Sequence, residues 1–297
     1  MTISVTANTI RRGYIYVALA AVLFAISGTS SKFLFNNGLT PFQLIQLRTT
    51  LAFTGLLIWL LLRRRALFII RMKDLPYFIA LGVLGIGAAQ FLYLYAISKI
   101  NVAAAILLHY TGPVFVALYA VIFQRQKLAP MSMLAILGTL AGCFLVVGAY
   151  NLDLLSLNRA GIIGGMLAAM AFATYSLLSE YGMREYSHWT VLLYGLLFAA
   201  LIWNILHPPL GAILHAYPPI QWWWILFIST FGTIFPFGLY FKGIKLIRAT
   251  HASITATLEP ISAGIIASIF LGEMMGPIQV FGGLMVIGSI ILLQWRE

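Results

Sequence analysis

The chain has 297 residues, of which 62% are hydrophobic and only 8% charged, and its mean hydropathy is +0.98. A water-soluble domain of that length needs roughly a quarter of its residues charged, so a soluble monomer is excluded. The net charge of +11 does not indicate nucleic acid, because Lys and Arg gather in short connectors between apolar runs.

A largely polar stretch of twelve residues ending in Arg11-Arg12 precedes a first apolar run of full spanning length. No small-residue cleavage site follows, which predicts an uncleaved transmembrane helix rather than a signal peptide. Continuing along the chain, apolar windows of about 20 residues predict ten spans. They run roughly over 13–33, 41–62, 75–96, 101–122, 131–149, 160–182, 188–206, 220–241, 249–270 and 277–295. Turn residues separate them: Asn36-Asn37-Gly38, Pro130, Asn151 to Asn158, Pro208-Pro209, Pro218-Pro219 and Gly276-Pro277. Alternating ten-residue segments are absent, so a barrel is excluded and the fold class is an all-α membrane bundle. Placing the N-terminus in the cytoplasm puts fourteen of the 18 Lys and Arg on inner segments, so both termini are expected there. Trp222, Trp223, Trp224 and Trp295 fall where interfacial anchors belong. The single cysteine, Cys143, excludes an internal disulfide and reads as a packing residue.

The halves repeat. A shift of 147 residues superposes Leu92 on Leu239, Tyr93 on Tyr240, Ile97 on Ile244, Ala105 on Ala252, Pro113 on Pro260 and Pro130 on Pro277. LAAVLFA at Leu19 pairs independently with LAAMAFA at Leu167. Each repeat, 13–149 and 160–295, carries five spans. An odd number enters the membrane from opposite sides, as in secondary transporters whose site lies at the midplane between inverted repeats.

QLRTTLAFTGLLIWLL in span two, YTGPVFVAL in span four and LEPISAGIIASIFLGE in span nine, in that order and spacing, resemble the EamA family of the drug/metabolite transporter superfamily. The resemblance covers nearly the whole chain. It implies a secondary transporter that exports or exchanges small metabolites such as amino acids across the inner (plasma) membrane by alternating access. One departure stands out: Gln126 replaces the acid that ends the fourth helix, while its counterpart Glu273 is kept.

Ionisable residues inside spans are the first functional candidates. Glu259 lies about ten residues, roughly 15 Å, into span nine. Pro260 beside it cannot donate its backbone hydrogen bond, which frees the Ala256 carbonyl and bends the helix. The acid then either lines a polar cavity, where it could exchange protons, or caps a neighbouring helix as scaffold. Pro113 repeats the kink without the acid. Arg48 in span two could pair with Glu259, grip a substrate carboxylate or snorkel to headgroups. His109 and Tyr110 lie at mid-depth in span four. Tyr93, Tyr175 and Tyr240 offer aromatic faces. Ser27, Gln90 and Thr255, with Thr29 and Ser30, offer neutral hydrogen-bonding groups. Packing is the bland alternative for each of these. Glu180 is expected to be solvated at a helix end. Gly138 with Gly142, and Gly161 with Gly165, are scaffold signals.

The expected partners are a small-molecule substrate, the lipid bilayer and protons, with no nucleic acid and no cofactor. HExxH, acid and histidine clusters and GxxxxGK[ST] are absent, which argues against a metal site, a membrane enzyme and nucleotide hydrolysis. A flippase-like lipid carrier is the other alternative.

Overall fold

A computed structural model describes residues 7–99, 105, 108–125, 129–146, 159–206, 217–271 and 276–294. Gln126, Glu273, Trp295, Pro208-Pro209 and the connector from Asn151 to Asn158 lie outside them. Among the described residues the regular structure is helical, without strands. Lipid offers backbone groups no partners, so each segment must satisfy its own.

The first helix, α1, spans Ala7–Asn36. After Gly38, whose φ of 90° only glycine adopts without strain, α2 (Pro41–Arg63) opens on a reciprocal cap. Gln43 N–H donates to Thr40 Oγ1 at 3.2 Å, and Thr40 N–H donates to Gln43 Oε1 at 2.9 Å. Two 3₁₀ turns, Arg65–Phe68 and Met72–Asp74, lead to α3. This helix joins Leu75–Ala80 to Ala88–Lys99 through a π-helical stretch, Leu81–Gly87. Then follow α4 (Gly112–Ile122), α5 (Pro130–Val146), α6 (Arg159–Gly182) and α7 (His188–Leu206). The long α8 joins Pro219–Ser229 to Phe235–Thr255 through a second π-helical stretch, Thr230–Ile234. The last helices are α9 (Leu258–Leu271) and α10 (Pro277–Gln294).

Six of these are long and apolar enough to cross a membrane: Asn8–Phe35, Pro41–Arg63, Met72–Lys99, Arg159–Gly182, His188–Leu206 and Pro219–Thr255. The described parts of α4, α5 and α10 are shorter apolar helices.

The packing is reciprocal. α1 lies along α8 and α9, while α6 lies along α3 and α4; α2 packs on α7, and α5 on α10. The 147-residue shift carries 81–87 onto 228–234, so the π-helical stretches also correspond. Each brings a glycine against the first helix of the other half. A Cβ at Gly85 would lie 2.8 Å from Tyr175 Cβ, and one at Gly232 would lie 2.7 Å from Ser27 Cβ. Ser27 and Tyr175 are themselves related by the LAAVLFA–LAAMAFA match. The α5–α10 contact uses Gly142, where a Cβ would meet the Gly282 carbonyl at 2.7 Å, as the GxxxG spacing predicts.

Two helix boundaries differ from expectation. The eighth helix does not stop near 241 but continues to a break at Arg248 (φ 66°, ψ 164°), and a helix restarts at Ala249. The expected ninth span, 249–270, starts at that break but is divided: residues 256–257 turn, and α9 begins at Leu258.

Candidate functional site

The turn at 256–257 has a counterpart at 110–111, just before α4 starts at Gly112. At both, a threonine hydroxyl turns back onto its own chain. Thr111 Oγ1 donates to the Leu108 carbonyl at 2.7 Å, and Thr257 Oγ1 to the Ile254 carbonyl at 2.5 Å. The Ala256 carbonyl is not free, contrary to the sequence expectation. Glu259 N–H donates to it at 3.0 Å, taking the place of the donor that Pro260 lacks. The chain therefore breaks without leaving that acceptor open. Each break starts a new helix inside the bundle, with its N-terminal amides and positive dipole end facing inward.

One hydrogen bond joins the two breaks. Tyr110 OH donates to Glu259 Oε2 at 2.5 Å. Glu259 sits in the first turn of α9, where the helix dipole favours an acid. The shift of 147 puts Gly112 at the corresponding place in α4, and the Phe172 ring fills the space there: a Cβ would meet its Cδ1 at 2.5 Å. The acid is thus the asymmetric feature of a symmetric frame. Glu259 keeps partial surface exposure, while Tyr110 is buried.

Arg48 is 7% exposed and does not snorkel. Its Nε donates to Thr233 Oγ1 at 3.1 Å and its Nη2 to the Gly232 carbonyl at 2.9 Å. Both acceptors belong to the π-helical stretch of α8, a type of irregularity frequent at functional sites. The planar guanidinium fork is held on one side, and its other donors stay available. Arg48 and Glu259 interact electrostatically. They form no ion pair within 4.0 Å: among the described residues, ion pairs join Arg71 to Asp74 and Glu185, and Arg248 to Glu180.

Tyr93, Tyr110 and Tyr175 also lie within electrostatic reach of Glu259. His109 is enclosed by the rings of Tyr93, Phe172 and Tyr110, with centroids at 5.0, 5.3 and 5.5 Å, and its Nδ1 is buried without a partner. Tyr175 stacks edge-on against Phe172, Phe237 and Tyr240. Tyr240 is fully buried, its OH 2.9 Å from Ser176 Oγ. Gln90 is buried, and both ends of its amide lack a partner.

Other sequence candidates are scaffold. Thr255 is 1% exposed and donates to the His251 carbonyl at 2.8 Å. Ser27 is buried against Gly232; Thr29 and Ser30 bond within α1. Glu180 is only partly exposed. It accepts from Ala249 N–H at 2.7 Å, capping the helix where it restarts after Arg248, and its other oxygen lies 3.5 Å from Arg248 Nε. Sequence reasoning missed Thr233, Gly232, Phe172, Ser176 and the Tyr14–His251 contact at 3.0 Å. Only the shift-related pair Gly85–Gly232 carried a usable signal. Among the described residues no group of three His, Cys, Asp or Glu could hold a metal.

The arrangement presents a buried arginine and a partly exposed acid that make no ion pair, bordered by aromatic rings and set at the junction of two interrupted helices. Among its described residues no nucleophile–base pair is set up for covalent chemistry.

The model of the EamA-like transporter family matches residues 11–148 and 159–295. An uncharacterized inner membrane transporter, YicL, of Salmonella typhimurium is 26% identical over 294 residues, covering 95% of each chain. An uncharacterized transporter of Archaeoglobus fulgidus is 29% identical over 222 residues, 72% of this chain and 76% of that one. The threonine/homoserine exporter RhtA of Escherichia coli K12 is 28% identical over 210 residues, 69% of this chain and 65% of its own. A protein crystal structure with 18% sequence identity matches with a TM-score of 0.76 over 96% of both chains.

Proposed function

The chain belongs to the EamA-like transporter family, and on that premise we propose that it carries zwitterionic, amino-acid-like metabolites across the inner membrane by alternating access. In this reading it crosses the membrane ten times as two inverted five-helix repeats, near 13–149 and 160–295, with both termini cytoplasmic. Relatives bear the names of transporters, not enzymes. RhtA is named as an exporter of two amino acids, and we assign export or exchange here.

The observation that carries this reading is the separation of Arg48 from Glu259. A buried arginine normally closes on a nearby acid, because an unpaired buried charge is costly. Here Arg48 is held back by Thr233 and Gly232, and Glu259 by Tyr110. A ligand with a carboxylate for the free side of Arg48 and an ammonium for Glu259 completes both. Tyr93, Tyr175 and His109 wall the same region and shield it from lipid and bulk water.

Counterflow in proteoliposomes tests this. Vesicles loaded with an unlabelled amino acid should accumulate the same labelled amino acid transiently. The decarboxylated amine and the deaminated acid should compete at least tenfold less well. Competition by either fragment as strong as by the parent would overturn the two-charge reading. Movement of labelled phospholipid with no amino-acid counterflow would assign the protein to lipid transfer.

A further inference from the structure

At the contact of α2 with α7 both ends of the Asn204 amide are partnered. Asn204 Oδ1 accepts from Gln46 Nε2 at 3.2 Å, and Asn204 Nδ2 donates to Thr50 Oγ1 at 2.9 Å and to the Ala200 carbonyl at 2.8 Å. The next residue, Trp203, breaks the pattern. It is 7% exposed, and its indole N–H has no partner. Gln90 on α3 is 8% exposed, and neither its amide oxygen nor its amide nitrogen has a partner. A buried polar group left open costs about as much as a lost hydrogen bond, and such groups are few in native interiors.

The two orphans sit on helices that pack together, α7 and α3. Trp203 packs along one face of α3: its Nε1 lies 3.3 Å from where a Cβ on Gly87 would be, its ring centroid is 4.5 Å from that of Phe91, and it shares a cluster with Leu94. Gln90 lies one turn beyond Gly87 and one turn before Leu94, on that same face. Ile45 of α2 closes the cluster, and Arg48 follows it by one turn of α2. Through Ile45 the cluster therefore reaches the helix that carries Arg48.

We propose that Gln90 and Trp203 form a specificity subsite, one turn along α2 from Arg48, that hydrogen-bonds an uncharged polar side chain (a hydroxyl or a carboxamide) of the transported zwitterion. The indole N–H and the amide NH₂ donate to the side-chain oxygen, and the amide carbonyl accepts its O–H or N–H. A site built this way rejects the apolar isostere, which would leave three buried groups open. This rests on the two-charge reading above.

The test compares competition for counterflow by isosteric pairs: threonine against valine, serine against 2-aminobutyrate, and asparagine against leucine. The wild type should favour the polar member of at least one pair by about tenfold, the scale of one or two neutral hydrogen bonds. Gln90→Leu should erase most of that preference by weakening the polar member only, and Trp203→Phe should reduce it several-fold. Arg48→Gln should weaken both members alike. If Gln90→Leu does not fold, Gln90→Met and Trp203→Phe carry the comparison. A wild type that takes both members equally, or a preference unchanged in the variants, overturns the subsite alone. A wild type that takes neither overturns the two-charge reading and the subsite with it.

Discussion

At the scale of single residues, the bond between Tyr110 and Glu259 ties the halves together at their breaks. A hydrogen bond to a carboxylate contributes about 1.5–3 kcal/mol. Tyr110→Phe should therefore lower the thermal unfolding midpoint measurably, while Glu259→Gln, whose amide oxygen still accepts from Tyr110, should unfold close to the wild type. The two readings of Glu259 separate in transport. We expect Glu259→Gln to retain exchange with a half-saturating concentration raised about tenfold, since the substrate ammonium loses its charged partner, and to lose accumulation driven only by a pH gradient. Normal accumulation in that variant would place Glu259 in the scaffold. Arg48→Lys should behave as a severe change, because a point-like ammonium cannot hold Thr233 and Gly232 while offering a free fork to substrate. We expect at least a tenfold rise in half-saturating concentration; an unchanged value would remove Arg48 from binding. The sequence made Glu259, Arg48 and Tyr110 visible, since polar groups inside apolar runs are conspicuous. It could not show Thr233 and Gly232, which lie 185 and 184 residues from Arg48. A backbone carbonyl carries no sequence signature. Nor could it show that Glu259 N–H closes onto Ala256, because that depends on the local turn rather than on residue type.

At the scale of elements, prolines and glycines set the irregularities. Pro260→Ala restores an N–H that can reach the Ala256 carbonyl, so the turn at 256–257 should tighten toward continuous helix. We expect a variant at least as heat-stable as the wild type and about tenfold slower in counterflow. A fast, stable variant would mean that the break does not serve transport. The prolines were legible because proline has one local effect wherever it stands. The π-helical stretches were not, since their residues are ordinary helix formers and the extra residue per turn arises from packing. Gly85 and Gly232 face the first helix of the opposite repeat at near-contact distance. Enlarging Gly232 to Val pushes directly on Ser27 and displaces the segment that holds Arg48. Thermal unfolding should show a loss on the order of 1–3 kcal/mol, the usual range for overpacking.

At the scale of the whole molecule, the repeats are related but not identical in arrangement. α8 packs against α6 and α4, whereas α3 makes no comparable contact with α1 and α9 among the described residues. One end is fastened by the Glu180 cap on Ala249, the Arg248 ion pair, and the Arg71, Asp74, Glu185 and Tyr186 network. Arg248 holds a backbone conformation that costs a non-glycine residue roughly 1–3 kcal/mol, and the Glu180 cap offsets it. An asymmetric arrangement of symmetric halves is what alternating access requires, because exchanging the two arrangements opens the other end. The internal repeat and the all-helical class were readable from the 147-residue shift and from hydropathy. The asymmetry was not, because the same sequence must support both arrangements. The central claim is that the space beside Tyr110 and Glu259 opens to each side in turn. Labelling of a single cysteine tests it most directly. His109→Cys, in a chain whose native Cys143 is buried, should react with a membrane-impermeant thiol reagent in both right-side-out and inside-out vesicles, and substrate should slow both reactions. Thr255→Cys, buried on the other side of the break, should stay inert. Reaction of His109→Cys from one side only, or from neither, would contradict the account.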